Sequence, residues 1–309
     1  MNISLELRQM RAFLAVAEEL HFGRAAARLG VAQPALSQQI RRLEQALDAE
    51  LFLRSTRRVQ LTEAGRVLLA EARRIVADVE SAEAAVRRTA RGETGALTVA
   101  FAASVMFLAL PRIIRRFRAQ FPGVRLELRE MSTAQQLAGL HSGELDIGFV
   151  RQPSPDGALH LEVVMHEPLL VAVARNHPLA GRARFPLREL AREDFVLFPR
   201  DVAPGLHAQV LALCRDAGFA PNVVQESREL YTTVSLVEAG VGVTIIPSSV
   251  RKMGWRGVAY KPIPTPLALT RVAIAWRTSN MRPVVQSFVD VVRSTMRIAE
   301  PSSGAKRHV

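Results

Sequence analysis

The sequence contains one cysteine, Cys214, in 309 residues. One thiol cannot form a disulfide within its own chain or supply a multi-cysteine metal cage. Long apolar runs are also missing, because the stretch from Leu97 to Leu110 is interrupted by Thr98 and Ser104. It is shorter than the roughly 20 residues that a membrane-spanning helix needs. The first residues include acidic ones where an export signal needs an apolar run. We therefore expect a cytoplasmic protein without a metal site or a membrane partner.

Lysine is scarce, with 3 lysines against 38 arginines, while the formal net charge is +12. The positive excess is spread along the chain, with +4 in residues 1–91 and +8 in residues 92–309. An anionic partner fits such a charge, but the distribution locates no binding site. Arginine suits bidentate recognition of phosphate and guanine. A GC-rich genome produces the same bias, and we prefer that explanation.

The sequence lacks the motifs of common enzyme sites. It has no glycine-rich phosphate loop and no nucleophile elbow, and its seven histidines show no metal-ligand spacing. An α/β enzyme would need a convergent acid–base or nucleophile set, and none can be identified. We expect neither an enzyme nor a bound cofactor. Cys214 has no resolving partner in the chain, so we interpret it as a buried packing residue.

A hydrophobic fraction of 49% with 23% charged residues is typical of folded domains. Three regions of the sequence differ in their periodicity. Residues 1–61 contain short helical patterns, and residues 62–91 form one long helical pattern. From residue 92 to 300, β-rich runs alternate with helical ones, which indicates an α/β domain with parallel strands. Residues 301–309 are predicted to be a disordered tail.

The first region predicts a helix, a tight turn and a second helix, within FGRAAARLGVAQPALSQQIRRLEQAL. The alanines at 25–27 allow a neighbouring helix to approach closely. Gly30 suits a left-handed helix end, and Pro34 suits the first turn of a helix. The apolar stripe of the second helix runs from Leu36 to Leu47. Its other faces carry Gln33, Ser37, Gln38, Arg41 and Arg42.

Such a helix presents its N-terminal residues to base edges when it lies in a major groove. Glutamine can pair with adenine, and arginine can reach guanine or phosphate. The alternative is a helical hairpin with a solvated polar face. The next segment, LFLRSTRRVQL, favours DNA because it predicts a two-stranded wing with a basic tip of Arg54, Arg57 and Arg58. Thr62 then supplies an N-cap for the following helix. The predicted partner is double-stranded DNA.

The pattern of residues 62–91 predicts one helix, about 43 Å long at 1.5 Å per residue. Apolar or small residues recur in it every seven positions, in two parallel series. Such a seam is typical of a contact between two helices, although a helix buried against its own domain is the alternative. A two-fold dimer would read a partly palindromic promoter site. The predicted dimerisation residues are Leu68, Ala72, Ile75, Val79, Ala82 and Val86.

In the α/β region, hydroxyl residues follow two predicted strands. Ser104 follows the strand Leu97–Phe101, and Ser132 and Thr133 follow the strand Val124–Glu130. Ligands collect at the carboxyl ends of strands in open sheets, and helix N-termini favour anions. The hydroxyls predict a carboxylate site, with plain N-caps as the alternative. Arg151, after a third strand, either balances an acid or pairs with a surface carboxylate.

The stretch from LELRQMRAFLAVAEELHF to VQLTEAG resembles the winged helix of the LysR-type transcriptional regulators, and the similarity continues to about residue 299. The resemblance implies an N-terminal all-α winged helix-turn-helix with a long dimerisation helix. A two-lobed α/β sensor domain like a periplasmic binding protein would follow. Lobe I would comprise about 92–162 and 269–300, and lobe II about 163–268. By resemblance, Gln33, Pro34, Ser37 and Gln38 lie at the DNA, with Arg41 near it and Arg54 in the wing.

Members of this family commonly form tetramers, repress their own gene and activate a divergent operon when an effector binds between the lobes. RNA polymerase is a further candidate partner. REMSTAQQ, ASVMFLALPRIIRRF and DIGFVRQP resemble the benzoate- and muconate-responsive branch. That resemblance implies an aromatic acid or a dicarboxylate as effector. It aligns Ser104 and Thr133 with effector-binding hydroxyls and the backbone near Leu206 with another contact. Tyr231 and Thr232 open a predicted helix that we expect to face the cleft.

Leu206 stands where this branch can carry an aromatic residue, which leaves the ligand open. The main hypothesis is an effector-switched transcription factor. A ligand-independent DNA-binding repressor and a DNA-tethered α/β enzyme are the alternatives. A small acid that raises the thermal stability of the protein would favour the effector-switched factor over the ligand-independent repressor, because a ligand of the folded state stabilises that state.

Overall fold

The computed structural model describes residues 5–54, 58–154 and 156–296, without the side chain of Arg54. These residues fall into two compact units that divide between Arg88 and Thr89. Within the described ranges, no helix is both long and apolar enough to cross a membrane. The described residues also contain no group of His, Cys, Asp or Glu that could hold a metal ion. Arg57 and the predicted tail, 301–309, lie outside the described residues.

The N-terminal unit is built from helices with a small two-stranded sheet. Its elements are α1 (Leu7–Glu19), α2 (Phe22–Leu29), α3 (Gln33–Leu47), β1 (Phe52–Arg54), β2 (Val59–Leu61) and the beginning of α4 (Glu63–Ala90). Phe13 of α1 is fully buried and its ring lies 5.3 Å from that of Phe52, which joins the helices to the sheet. Leu36, Ile40 and Leu43 of α3 have no exposed surface. Burial of each such side chain contributes about 1.5–3 kcal/mol.

The second unit alternates strands and helices. Its elements are β3 (Thr94–Phe101), α5 (Ala103–Met106), α6 (Leu110–Gln120), β4 (Gly123–Glu130), α7 (Thr133–Ser142), β5 (Ile147–Arg151), β6 (Leu159–Ala174), β7 (Asp194–Leu197), α8 (Pro204–Asp216), β8 (Asn222–Glu226), α9 (Leu230–Glu238), β9 (Thr244–Pro247), β10 (Val258–Pro262), β11 (Leu269–Arg277) and α10 (Pro283–Thr295). Short 3₁₀ turns span Pro178–Gly181, Leu187–Leu190 and Ser248–Met253.

The strands make two lobes that share β6. In lobe I, β3 pairs in parallel with β4 and β5, and β11 pairs antiparallel with β5 and with the first part of β6. In lobe II, the rest of β6 pairs antiparallel with β9 and β10. The change occurs between Pro168, which is opposite Leu269, and Leu169, which is opposite Pro247. The chain therefore crosses between the lobes along β6 and returns between β10 and β11.

Each lobe has its own core. In lobe I, the buried rings of Phe117 and Phe288 meet at 5.0 Å in an edge-to-face arrangement, so α6 and α10 pack on one side of the sheet. In lobe II, Phe195 and Cys214 are fully buried, which joins β7 to α8. These two cores, with the separate core of the first unit, agree with the N-terminal helical domain and the two-lobed α/β domain that the sequence predicts.

Two details differ from the sequence-based expectation. Lobe II begins at Leu169 and not near Val163, because β6 runs without interruption and keeps its first half paired with β11. The helix predicted after Ser104 is divided into α5 and α6, since α5 ends at Met106 and α6 begins at Leu110, with Pro111 in its first turn. Proline is tolerated at that place because the N–H there has no intrahelical acceptor.

Candidate DNA interface and effector cleft

Helix α3 presents a polar face to solvent. Gly30 ends α2 with φ +68°, a left-handed conformation that glycine adopts readily, and Pro34 lies in the first turn of α3. The apolar stripe of α3 packs inward on α1 and α2. Among the residues of α3 that are predicted to contact DNA, Ser37 is half-buried. The exposed ones are Gln33, Pro34, Gln38, Arg41 and Arg42.

The arginines of this unit divide into paired and unpaired groups. Arg28 of α2 lies 2.8 Å from Glu18, and Arg24 lies 3.1 Å from Glu19. Arg41 and Arg42 of α3 have no carboxylate partner among the described residues. Two uncompensated cations therefore lie beside exposed glutamines, an arrangement suited to phosphates and base edges.

A short hairpin lies beside α3. Phe52 of β1 pairs with Leu61 of β2, and Glu44 of α3 accepts hydrogen bonds from the backbone N–H groups of Leu51, at 3.0 Å, and Phe52, at 3.3 Å. This carboxylate fixes the hairpin on α3. Arg58 is exposed on the hairpin. Of the other predicted wing cations, Arg54 belongs to β1 by its backbone, and Arg57 lies outside the described residues.

The N-terminal end of α4 is part of the first unit's core. Thr62 caps the helix by accepting from the N–H of Gly65 at 2.9 Å. A Cβ on Gly65 would lie 2.2 Å from the carbonyl oxygen of Leu51, so the helix contacts that backbone closely. Ala72 is fully buried and Leu68 packs against the same core. The dimerisation role predicted for Ala72 is corrected accordingly, because its own domain covers it. Leu68 is half-buried, and its role at a helix–helix contact stays a prediction.

Further along α4, Val79 is half-buried, while Ile75, Ala82 and Val86 are exposed. Val86 is 70% exposed, a high value for an apolar side chain. This part of the seam remains a predicted surface for a second copy of the helix.

A cavity of about 370 Å³ lies between the lobes of the second unit. It is lined from lobe I by Ser104, Ser132, Thr133 and Arg151, and from lobe II by Leu206. Five of the predicted effector residues are thus brought together. Ser132 also caps α7, since its Oγ accepts from the N–H of Gln135 at 3.2 Å while the Gln135 side chain accepts from the Ser132 N–H at 3.0 Å.

The two buried hydroxyls of the cavity both accept from one arginine. Arg151 donates from Nη2 to Oγ of Ser104 at 3.0 Å, and its backbone N–H donates to Oγ1 of Thr133 at 3.4 Å. Neither hydroxyl donates to an acceptor in the part of the chain that the structure describes. Their lone pairs face Arg151, so each hydroxyl proton is free for another acceptor.

Arg151 is itself paired. Its Nη1 lies 2.8 Å from Oε2 of Glu167, and the two side chains are 4% and 2% exposed. Burial lowers the pKa of Arg151, and the attraction of Glu167 opposes that shift. Glu167 also accepts from the backbone N–H of Ser249 and from Oγ of Ser248. The pair therefore joins lobe I, the crossing strand β6 and lobe II.

Residues 7–66 match a family described as "Bacterial regulatory helix-turn-helix protein, lysR family", and residues 90–297 match "LysR substrate binding domain". The chain belongs to the LysR family. LysR proteins are DNA-binding transcriptional regulators and not enzymes.

Relatives and solved structures agree with this assignment over nearly the whole chain. The LysR regulator is 37% identical to the HTH-type transcriptional regulator AlsR of Bacillus subtilis (strain 168) over 287 residues, 93% of this chain and 95% of AlsR. It is similar to the crystal structure of CbnR, a LysR family transcriptional regulator, with TM-score 0.80, 30% identity and coverage of 94% and 100%. Full-length CbnR in complex with its target DNA gives TM-score 0.76, 29% identity and the same coverage.

Two predicted effector residues of this LysR regulator lie elsewhere. Tyr231 and Thr232 are in the first turn of α9, as expected, but neither lines the cavity, and Tyr231 is 58% exposed. The side chains that α9 buries are those of Leu230, Thr233, Val234 and Val237. The first turn of α9 contributes Leu230 to the cavity. The helix was therefore predicted correctly, but the residue that faces the cavity lies one position earlier, about 100° around the helix.

Sequence reasoning missed Glu167, the partner of Arg151. Its signal is an acidic residue directly before Pro168 in a segment that is otherwise rich in apolar residues, EVVMHEPLLVAVA. A buried carboxylate needs a cation, and Arg151 is the cation that β5 brings to the same place. The sequence left open whether Arg151 balances a bound acid or pairs with a surface carboxylate; the carboxylate that it meets is buried.

Proposed function

We propose that this LysR regulator binds double-stranded DNA through α3 and is switched by a small carboxylate bound between the two lobes. The DNA-binding part is supported by the exposed polar face of α3 and by the uncompensated charges of Arg41 and Arg42. The matched structure of CbnR with its target DNA supports DNA binding by a protein of this architecture. Self-association along the exposed seam of α4, as a dimer or a tetramer, would place two α3 helices on a partly palindromic site.

The observation that carries the effector proposal is the shared orientation of Ser104 and Thr133. Both are nine-tenths buried or more, both line the cavity, and both accept from Arg151. Two O–H donors and the N-terminus of α7 then converge on one end of the cavity, which suits a carboxylate. The Nε of Arg151 has no hydrogen-bond partner among the described residues and adds positive charge at this end.

Lobe II lines the cavity mainly with apolar side chains. These are Phe198, Val202, Leu206 and Leu230, beside the charged Arg228 and Glu229. A molecule with one carboxylate and an apolar body matches this division, and a volume of about 370 Å³ limits it to a small molecule. The aromatic acids and dicarboxylates implied by the resemblance to the benzoate- and muconate-responsive branch are the proposed effector class.

Switching follows from the pairing of Arg151 with Glu167. A carboxylate at the two hydroxyls competes for the charge of Arg151, and Glu167 connects that charge to Ser249 of lobe II. The ligand thus binds one arrangement of the lobes better than others, and it shifts the population toward that arrangement.

A ligand screen tests the proposal. The unfolding temperature of the full-length protein would be measured with benzoate, salicylate and cis,cis-muconate. Formate, a carboxylate too small to fill the cavity, is the control. A rise in the unfolding temperature with one of the larger acids supports the site, and at the same concentration of acid the rise must be smaller in Thr133→Val. DNase footprints with that acid should then change in extent. Binding by none of a broad set of carboxylates, or a footprint unchanged by a bound acid, would refute the switch.

A further inference from the structure

We infer that a backbone contact between Gly205 of lobe II and Gln152 of lobe I sets how closely the lobes approach and forms one wall of the effector cleft. This inference rests on the proposed effector cleft. A Cβ placed on Gly205 would lie 2.0 Å from the carbonyl oxygen of Gln152 and 3.0 Å from its carbonyl carbon. The first turn of α8 therefore touches the end of β5 with no room for a side chain, a close approach that only glycine permits.

The contact lies between two spaces. Arg151, Ala203 and Leu206 line the cavity of about 370 Å³ described above. Their neighbours along the chain, Gln152 and Gly205, line a different, larger groove of about 1060 Å³ on the flank of the lobes. In each of the two chain segments, neighbouring residues line different spaces. The contact between Gly205 and Gln152 therefore separates the cavity from the groove.

Lobe I holds its side of the contact rigidly. Gln152 has φ +47°, a left-handed conformation that is uncommon outside glycine. Three hydrogen bonds to Arg271 of β11 hold it there. The backbone N–H of Gln152 donates to the Arg271 carbonyl at 2.8 Å, and its Oε1 accepts from the backbone N–H and Nε of Arg271 at 3.0 and 3.1 Å. These bonds hold the backbone of Gln152 against β11 on the lobe I side of the contact.

Lobe II holds its side through α8. Gln209, one turn after Gly205, donates from Nε2 to the carbonyls of Leu267 and Leu269 at 3.2 and 2.8 Å. These carbonyls belong to the chain that returns from lobe II to lobe I. The N-terminal turn of α8 is thus anchored beside the crossing, so a Cβ on Gly205 is accommodated only by moving the lobes apart.

The opposite flank of the cleft is closed by different contacts. Lys252 donates from Nζ to the carbonyl of Phe107 at 2.7 Å, and Ser249 donates from Oγ to the carbonyl of Ser104 at 3.3 Å. These bonds are exchangeable hydrogen bonds between polar groups, whereas Gly205 and Gln152 meet in van der Waals contact. A steric limit to approach therefore exists on the α8 flank.

Gly205→Ala is the direct test, with Gly181→Ala as the matched control because a Cβ on Gly181 meets no atom within 4 Å. Gln152→Asn is a second variant. Asparagine tolerates the left-handed backbone, but its shorter side chain cannot reach Arg271 as Gln152 does. The readouts are hydrogen–deuterium exchange of the ligand-free full-length protein and calorimetric affinity for the acid found in the ligand screen.

The inference predicts faster exchange at the amide of Gln152 and in residues 205–207 in both variants, and at least tenfold weaker binding of the acid in Gly205→Ala. Gly181→Ala should match the wild type. If Gly205→Ala does not fold, Gln152→Asn decides by the same readouts. Wild-type exchange and affinity in the variants would overturn the inference. If the wild type binds no acid, the proposed function fails, and exchange in the ligand-free protein still decides whether the contact limits the lobes.

Discussion

The guanidinium of Arg151 and the carboxylate of Glu167 form an ion pair, 2.8 Å apart, that is almost completely shielded from water. Arg151 ends β5 in lobe I, and Glu167 lies on β6 two residues before the strand enters lobe II. Burial alone would favour the neutral arginine, and it lowers the pKa of Arg151, while Glu167 acts in the opposite direction. Each charge is therefore tolerated because the other is present.

Removal of one partner should destabilise the sensor domain strongly. In Glu167→Gln, the buried Arg151 loses its counter-charge, and loss of one member of a buried pair costs about 3–5 kcal/mol. The double variant Arg151→Met, Glu167→Leu should be more stable than the single variant, because it leaves no unpaired charge. Urea unfolding followed by tryptophan fluorescence measures this, since both tryptophans, Trp255 and Trp276, belong to the sensor domain. A single variant as stable as the wild type would contradict the pairing.

The cavity hydroxyl of Thr133 should contribute to affinity for the acid; its loss should also cost some stability, because its oxygen accepts from the backbone N–H of Arg151. Thr133→Val keeps the shape of the side chain and removes its O–H, so affinity for the bound acid should fall about tenfold, the range of one hydrogen bond to a charged group. Thr232→Val is the control, because Thr232 does not line the cavity. Calorimetry on the full-length protein measures both. Equal losses in the two variants would show that the hydroxyl at 133 has no specific role.

The sequence predicted residues whose position depends on local periodicity, and missed those that depend on packing between distant segments. The turn at Gly30 and the buried stripe of α3 follow from spacing alone, and so do the strand ends that carry Ser104 and Thr133. Glu167 and Gln152 meet partners in other segments, which no local pattern encodes. Tyr231 shows a third case. The helix that contains it was predicted, but the face of that helix that lines the cavity was not. Successive residues point about 100° apart around a helix, so an error of one residue selects the wrong face.

The exposed cations and amides of α3 should contribute differently to DNA binding. Arg41→Ala removes one phosphate-directed charge, so affinity should fall for all sequences and the salt dependence should weaken by about one ion. Gln38→Ala should instead reduce discrimination at one base pair by about 1–3 kcal/mol. Arg74→Ala is the control, since Arg74 lies on α4 and pairs with Glu71 at 2.6 Å. Fluorescence anisotropy at several salt concentrations separates the two effects, and an unchanged slope in Arg41→Ala would contradict its role.

The exposed seam of α4 should be required for self-association. Val86→Arg places a charge on an apolar surface, and burial of an unpaired charge at an interface is costly, so dimers should dissociate. Ala77→Arg is the control because Ala77 is exposed on the far side of the helix, about 200° around from Ile75 at 100° per residue. Size-exclusion chromatography with light scattering gives the mass of each variant. A wild-type mass for Val86→Arg would exclude this seam as the interface.

Cys214 should be unreactive while the protein is folded. It is fully buried in the core of lobe II, and burial raises the pKa of its thiol to about 11. The thiolate is the reactive form, so at pH 8 a disulfide reagent should label the native protein at least about 100-fold more slowly than the unfolded chain. The raised pKa also means that the contribution of this group to stability is present below pH 9 and is lost as pH rises toward 11. Rapid stoichiometric labelling of the native protein, or a DNA footprint altered by hydrogen peroxide, would show instead that Cys214 is accessible to oxidants, and the packing role would then be wrong.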